Sequence, residues 1–213
     1  MNITITFEGE ARDQLQAVFC GVDPKESREY LTAPYFDTKS EAIIGTNGHT
    51  LIHYDYVSRN NNGFLVDSTD YIGILSEISP FQFPVFKILR STDRVDMELK
   101  LSESGTGHTV EAITVKHYKK GGLIKSENLI LPDHGLNFPD WKKVIPNKPR
   151  TEPRKKLQFG LHIEYIASVA KVLCSDPIID TAINLTELGD YPALKVCYIG
   201  YPDLYQFVMP ILP

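Results

Sequence analysis

One order of patterns recurs along this chain and limits its architecture more than any single motif does. A strand is followed by an amphipathic helix and then by further strands. "NITITFEGE" alternates apolar and polar positions and is rich in β-branched residues, the mark of a half-buried strand. "ARDQLQAVFCGV" then sets Leu15, Val18, Phe19 and Val22 at helical spacing, with Pro24 beyond as a stop. "EYLTAPYFDT" and "EAIIGTNGHTLIHYDY" return to strand character, the second divided at Asn47-Gly48, a dipeptide suited to a type I′ turn. Near the other end "KLQFGLHI" reads as a strand, and "EYIASVAKVL" as a helix with Tyr165, Ile166, Val169, Val172 and Leu173 on one face. "TAINLTE", "ALKVCYIG" and "YQFVMPIL" follow as three strands.

The middle of the chain is less regular. "DSTDYIGILSEI" has a capping start and helical spacing, and "RVDMELKLS", "HTVEAITVKHY" and "SENLILP" read as strands. "SPFQFPVFKILRS" stays ambiguous because Pro84 interrupts it. The sum is an α+β chain of about three βαβββ-like units, related by pattern and scarcely by identity. A basic, proline-containing stretch joins the second unit to the third.

Composition narrows the function. The 213 residues are 42% hydrophobic and carry a formal net charge of −5, which is ordinary for a globular protein and gives no bulk attraction to nucleic acid. No apolar run is long enough to span a membrane, and "MNITITFEGEARDQ" does not read as a secretion signal. Cys20, Cys174 and Cys197 are scattered and odd in number, which points to reduced, buried thiols in a cytoplasm rather than a disulfide frame or zinc site. Basic residues concentrate locally: Lys142, Lys143, Lys148, Arg150, Arg154, Lys155 and Lys156 oppose only Glu152. That strip reads either as a solvated linker or as a weak, salt-sensitive phosphate contact.

Little in the sequence points to bond chemistry. His49 and His53 stand four apart in strand context, which places them about 13 Å apart rather than together on a metal. No third ligand stands at a sensible spacing, so neither metal nor cofactor is expected. "GTNGHT" is followed by strand and not by a helix N-terminus, which removes the phosphate-loop reading. An enzyme using His49 or His53 with Asp55 is the rival from another class. Asp67, Asp70, Glu77, Asp93, Asp96 and Glu98 read as a solvated acidic surface. Tyr35, Tyr54 and Phe207 alternate within strands, as packing rather than base stacking requires.

Three separated segments carry a resemblance. "SREYLTAPYFDTKSEAIIGTNGHTLIHY", "LNFPDWKKVIPN" and the terminal "YQFVMPILP" resemble, in the same order, the middle and last domains of bacterial sliding clamps, the beta subunit of DNA polymerase III. "LQFGLHIEYIASVAKVL" is similar to the strand and helix opening the second half of that family's last domain. The resemblance implies a DNA-clamp fold of antiparallel sheets with helices on one face. Residues 1–146 would match the middle domain, 147–156 would be a basic linker, and 157–213 would be half of the last domain.

It also implies a function without catalysis: a replication processivity factor, binding clamp-interaction motifs of polymerase and loader and encircling double-stranded DNA as a homo-oligomeric ring. Carried over residue by residue, the peptide pocket would use Leu31, Thr46, Gly48, His49, Leu51 and Pro146. The terminal strand would add Phe207, Val208, Met209, Pro210 and Ile211. The seven basic residues from Lys142 to Lys156 would be the DNA contacts. Asn47 and Thr50 replace charged residues of the family pattern, which implies a weaker hold on acidic peptide groups. The helices are poor in cations, with Arg12 against Asp13 and Lys171 against Glu164, so an adaptor that keeps the pocket without the ring is the alternative.

Overall fold

The computed structural model describes residues 1–56, 64–66, 75–105, 107–132, 138–143, 162–184 and 192–209, with the side chains of 64–66, 179–184 and 192–193 left aside. Twelve strands and two helices of eleven residues fill these segments. The opening pattern is realised as β1 (Asn2–Glu8), α1 (Gly9–Phe19), β2 (Tyr35–Asp37), β3 (Ala42–Thr46) and β4 (Thr50–Asp55). The middle supplies β5 (Phe64–Val66), a helical turn at 75–77, β6 (Phe81–Gln82), β7 (Arg94–Ser104), β8 (Gly107–Lys119) and β9 (Gly122–Leu129). The last part contributes α2 (Ile163–Leu173), β10 (Pro177–Asn184), β11 (Pro192–Tyr198) and β12 (Tyr201–Val208). Of the strand expected over 156–163, residues 156–161 lie outside the described residues, and the other two are not strand: His162 caps α2 and Ile163 opens it. No helix among the described residues is long and apolar enough to cross a membrane.

Strand pairing within units is supplemented by pairing between them. One sheet has the order β5-β1-β7-β8-β9 and the other β10-β11-β12-β4-β3-β2-β6, every pairing between named strands antiparallel. β1 leaves the rest of its unit to pair with β5 and β7. β12, from the far end of the chain, lies beside β4 with Leu204 opposite Tyr54 and Val208 opposite Thr50. The first and last parts of the chain are therefore joined through one continuous sheet.

The two helices pack on each other, and α1 also rests on β1, β3, β4, β7 and β12. A single apolar cluster runs from Ile3, Ile5 and Phe7 through Leu15 and Val18 to Val169, Leu173, Leu204 and Val208. β3 is buried at every position because α1 covers one face and another segment covers the opposite one. Burying each such side chain contributes about 1.5–3 kcal/mol.

Three expectations change. The cysteines are free but not buried, Cys174 being exposed at the end of α2 and Cys20 and Cys197 half-buried. The ambiguous stretch 79–91 is mostly irregular: after the two-residue β6, Phe83, Phe86 and Ile88 are buried without regular pairing, since Pro84 has no N–H for a ladder. Asp96 is not solvated. It is 6% exposed, accepting from Thr6 Oγ1 at 2.8 Å and from Arg94 at 3.1 Å, because β7 is a central strand with β1 on one side and β8 on the other.

Candidate functional site

The turn between β3 and β4 is held by its own side chains. The Asn47 carboxamide oxygen accepts the amides of His49 and Thr50, both at 3.0 Å. Thr46 Oγ1 donates to the Thr50 carbonyl at 2.7 Å and accepts the Gly48 amide at 3.2 Å. Among turn residues 47–49 only Gly48 has positive φ, at 85°. The expected type I′ turn, which needs positive φ at both central positions, is thus replaced by a three-residue loop. Asn47 makes this workable, because its side chain occupies amides that the ladder leaves unpaired.

β12 docks on this turn. Thr50 Oγ1 donates to the Phe207 carbonyl at 3.1 Å, and beyond the strand the Met209 amide donates to the His49 carbonyl at 2.9 Å. Residues 46–51 and 207–209 are thus neighbours in space, although about 160 residues separate them in the chain. The third component is the segment 138–143, which lies over the outward face of the sheet. Phe138 stacks on Tyr35 with centroids 4.4 Å apart, and Trp141, only 7% exposed, packs with Ala42, Ile44, Leu51 and Phe207.

Where the three components meet there is a cavity of about 140 Å³. Leu31, Leu51, Met209, Tyr30, Phe138, Pro139 and Trp141 give it apolar walls; Thr46, Gly48 and Thr50 add polar groups, and Arg28 stands at the side. Its size suits a single leucine- or ring-sized side chain, since a cavity near 150 Å³ holds one benzene. Arg28 bonds Glu26 at 3.1 Å, holding that carboxyl down to about 2, and also reaches the Asn47 carbonyl at 3.5 Å.

Of the residues named from sequence, Leu31, Thr46, Gly48, Leu51 and Met209 line this cavity. His49 is turned away, stacked on Tyr165 at 6.4 Å and edge-on to His162 at 6.5 Å. Phe207 and Val208 are buried in the packing on opposite faces of β12, with 3% and 0% exposure. Pro146, Pro210, Ile211, Lys148, Arg150, Arg154, Lys155 and Lys156 lie outside the described residues. Lys142 and Lys143 are exposed; the first sits over the Trp141 ring at 5.6 Å and the second pairs with Asp140 at 3.7 Å. Arg28, Tyr30, Thr50, Phe138, Pro139 and Trp141 also line the pocket, beyond the residues expected from sequence. The chain's one tryptophan, beside Phe138-Pro139, was the available signal. Arg28 puts a cation beside the pocket.

His53 lies under Trp141 at 5.1 Å, with Tyr205 at 6.2 Å, and its buried Nδ1 has no hydrogen-bond partner among the described residues. Burial pushes its pKa below the usual 6.5, with Asp55 and Asp37 opposing the shift. The unfolded chain therefore takes the proton first as pH falls. His53 costs stability progressively below about pH 6.5 and ceases to add to that loss once the folded ring is protonated. In urea titrations the stability of the native protein relative to His53→Phe is expected to decline from pH 7.5 to pH 5. A difference that stays flat over that range refutes the assignment.

The fold, two antiparallel sheets with packed helices, is similar to that of solved DNA polymerase III beta sliding clamps. The beta sliding clamp of Caulobacter crescentus superposes with a TM-score of 0.54 at 13% identity over 99% of this chain and 65% of its own. The beta subunit of Thermotoga maritima gives a TM-score of 0.49 at 11% identity over 99% of this chain and 65% of its own. The chain thus spans a little under two thirds of the length of the clamps it matches. No protein-family model matches the sequence, and neither does any curated protein.

Proposed function

We propose that this protein is a sliding-clamp-like factor of DNA replication, not an enzyme, which captures short clamp-binding peptides of a polymerase or loader in the pocket beside Gly48. One observation carries the reading: four stretches distant in sequence, 28–31, 46–51, 138–141 and Met209, converge on one apolar cavity with unpaired space for a side chain. An extended peptide with a leucine or phenylalanine anchor needs such a cleft and a few polar groups at its margin. One or two buried anchors, less the cost of ordering the peptide, correspond to roughly micromolar affinity.

A fluorescein-labelled pentapeptide with leucine and phenylalanine anchors is therefore expected to bind with a Kd of roughly micromolar order. Met209→Glu, which sets a carboxylate into the apolar wall, is expected to weaken it at least about tenfold. Failure of the native chain to bind the peptide ends this proposal.

The alternative is an adaptor or decoy that keeps the pocket and encloses no DNA. One observation favours it. Arg12, the one cation of α1, is engaged with Asp13 at 2.5 Å and with the Thr92 carbonyl, and α2 adds only Lys171. Such helices offer little to phosphates. Molar mass in solution separates the two: a ring-sized assembly supports the clamp, and a monomer that binds peptide supports the adaptor.

A further inference from the structure

The pocket wall formed by Phe138, Pro139 and Trp141 belongs to a strap, residues 138–143, that is part of neither sheet. Its internal bonds, Lys143 N–H to the Asp140 carbonyl at 3.1 Å and the Lys143–Asp140 ion pair at 3.7 Å, do not tie it to anything else. Ring contacts with Tyr35 and His53 are attractive and only weakly directional. Among the described residues, the strap's one hydrogen bond to the rest of the chain runs from Trp141 Nε1 to Asp37 Oδ2, at 3.0 Å. Asp37 is 7% exposed and does not line the pocket. Its other oxygen accepts the amides of Lys39 and Ser40 at 3.2 and 3.0 Å, which fixes the carboxylate at the end of β2.

We infer that Asp37 is a positioning residue for the pocket: by accepting the Trp141 indole N–H it latches the strap onto the sheet and sets where the pocket's outer wall stands. The inference deepens the peptide-binding reading and rests on it for its effect on affinity. The geometry supports a directional role because a charged acceptor bonded to a buried donor is short, strong and angle-dependent, whereas apolar contacts let a ring slide. Asp37 is already anchored by two backbone amides, so it cannot follow the strap if the strap moves. The bond to Trp141 is then the element that selects one placement of the wall.

Asp37→Asn isolates this bond. The carboxamide oxygen can keep the turn amides while its NH2 meets the indole N–H donor to donor. Because Trp141 is the only tryptophan, emission and acrylamide quenching report the strap directly. The expected result in Asp37→Asn is red-shifted, more quenchable Trp141 emission, together with a labelled-pentapeptide Kd raised about tenfold at a temperature well below melting. Trp141→Phe, which keeps a ring and drops the donor, is expected to raise the Kd similarly. The double variant is expected to bind no worse than the weaker single variant, since both changes break one bond.

Unchanged emission and quenching in Asp37→Asn overturn the latch, as does a double variant whose losses multiply. A lowered melting temperature with unchanged Kd and emission also overturns it, because a merely structural role predicts that outcome. If the native protein takes no peptide, the peptide reading fails by that result. The latch is then decided by the emission arm alone.

Discussion

Gly45→Ala is expected to lower the melting temperature by about 6–12 °C, an effect of about 3 kcal/mol in a chain of this size. Gly45 lies in β3 where the last turn of α1 crosses it. A Cβ placed there would stand 2.2 Å from the Val18 carbonyl oxygen and 3.1 Å from its carbon. The approach is reciprocal: a Cβ on Gly21 would meet the Gly45 carbonyl oxygen at 2.6 Å. Neither neighbour is a flexible side-chain end, so relief requires lifting α1 from the sheet. That would loosen Leu15, Ala17 and Val18, all at 0% exposure. Gly122→Ala is the control, because its nearest neighbour, the Lys119 carbonyl, stands at 3.5 Å. If the two variants melt within a degree or two of each other, helix and sheet are not in the contact described.

Gln206→Leu is the second large effect, expected at about 2–4 kcal/mol. Gln206 is fully buried, and its amide nitrogen donates to Thr50 Oγ1 and to the Tyr165 carbonyl, both at 3.1 Å. Its carboxamide oxygen accepts the Tyr198 hydroxyl, whose pKa burial pushes well up. One side chain thus ties β12 to β4, β11 and α2. Leucine fills similar space but leaves the Tyr198 hydroxyl without an acceptor, and an orphaned buried donor costs more than the bond contributed. Adding Tyr198→Phe removes the orphan. The double variant is expected to be less destabilised than the sum of the singles by about 1 kcal/mol or more. Strict additivity in urea unfolding would count against the network.

Much of the local architecture was legible before any coordinates. Period-two alternation in "NITITFEGE" and helical spacing in "EYIASVAKVL" depend only on which face of a segment must leave water. β1 and α2 accordingly fall where the patterns lie. Pro84 was a true warning, since the stretch around it is buried yet mostly unpaired. The turn type at Asn47 was less legible. The dipeptide's φ preference competed with the carboxamide's capacity to accept two amides, and the second prevailed. A polar residue within "YQFVMP" marks Gln206 as unusual, but its three partners come from three other elements and cannot be read from its neighbours.

The pocket shows the same division. Leu31, Gly48, Leu51 and Met209 could be named by resemblance, whereas Phe138 and Trp141 became walls only once the strap lay across β3, β4 and β12. By itself the sequence determined element types, the faces they bury and the strand–helix–strand order of the first unit, because each follows from the periodicity of a short segment. Tertiary structure alone decided that β1 leaves its unit, that β12 pairs with β4 and that Asp37 meets Trp141. Those outcomes depend on unpaired strand edges and buried donors finding partners far away in the chain, and no local pattern records which partner satisfies them.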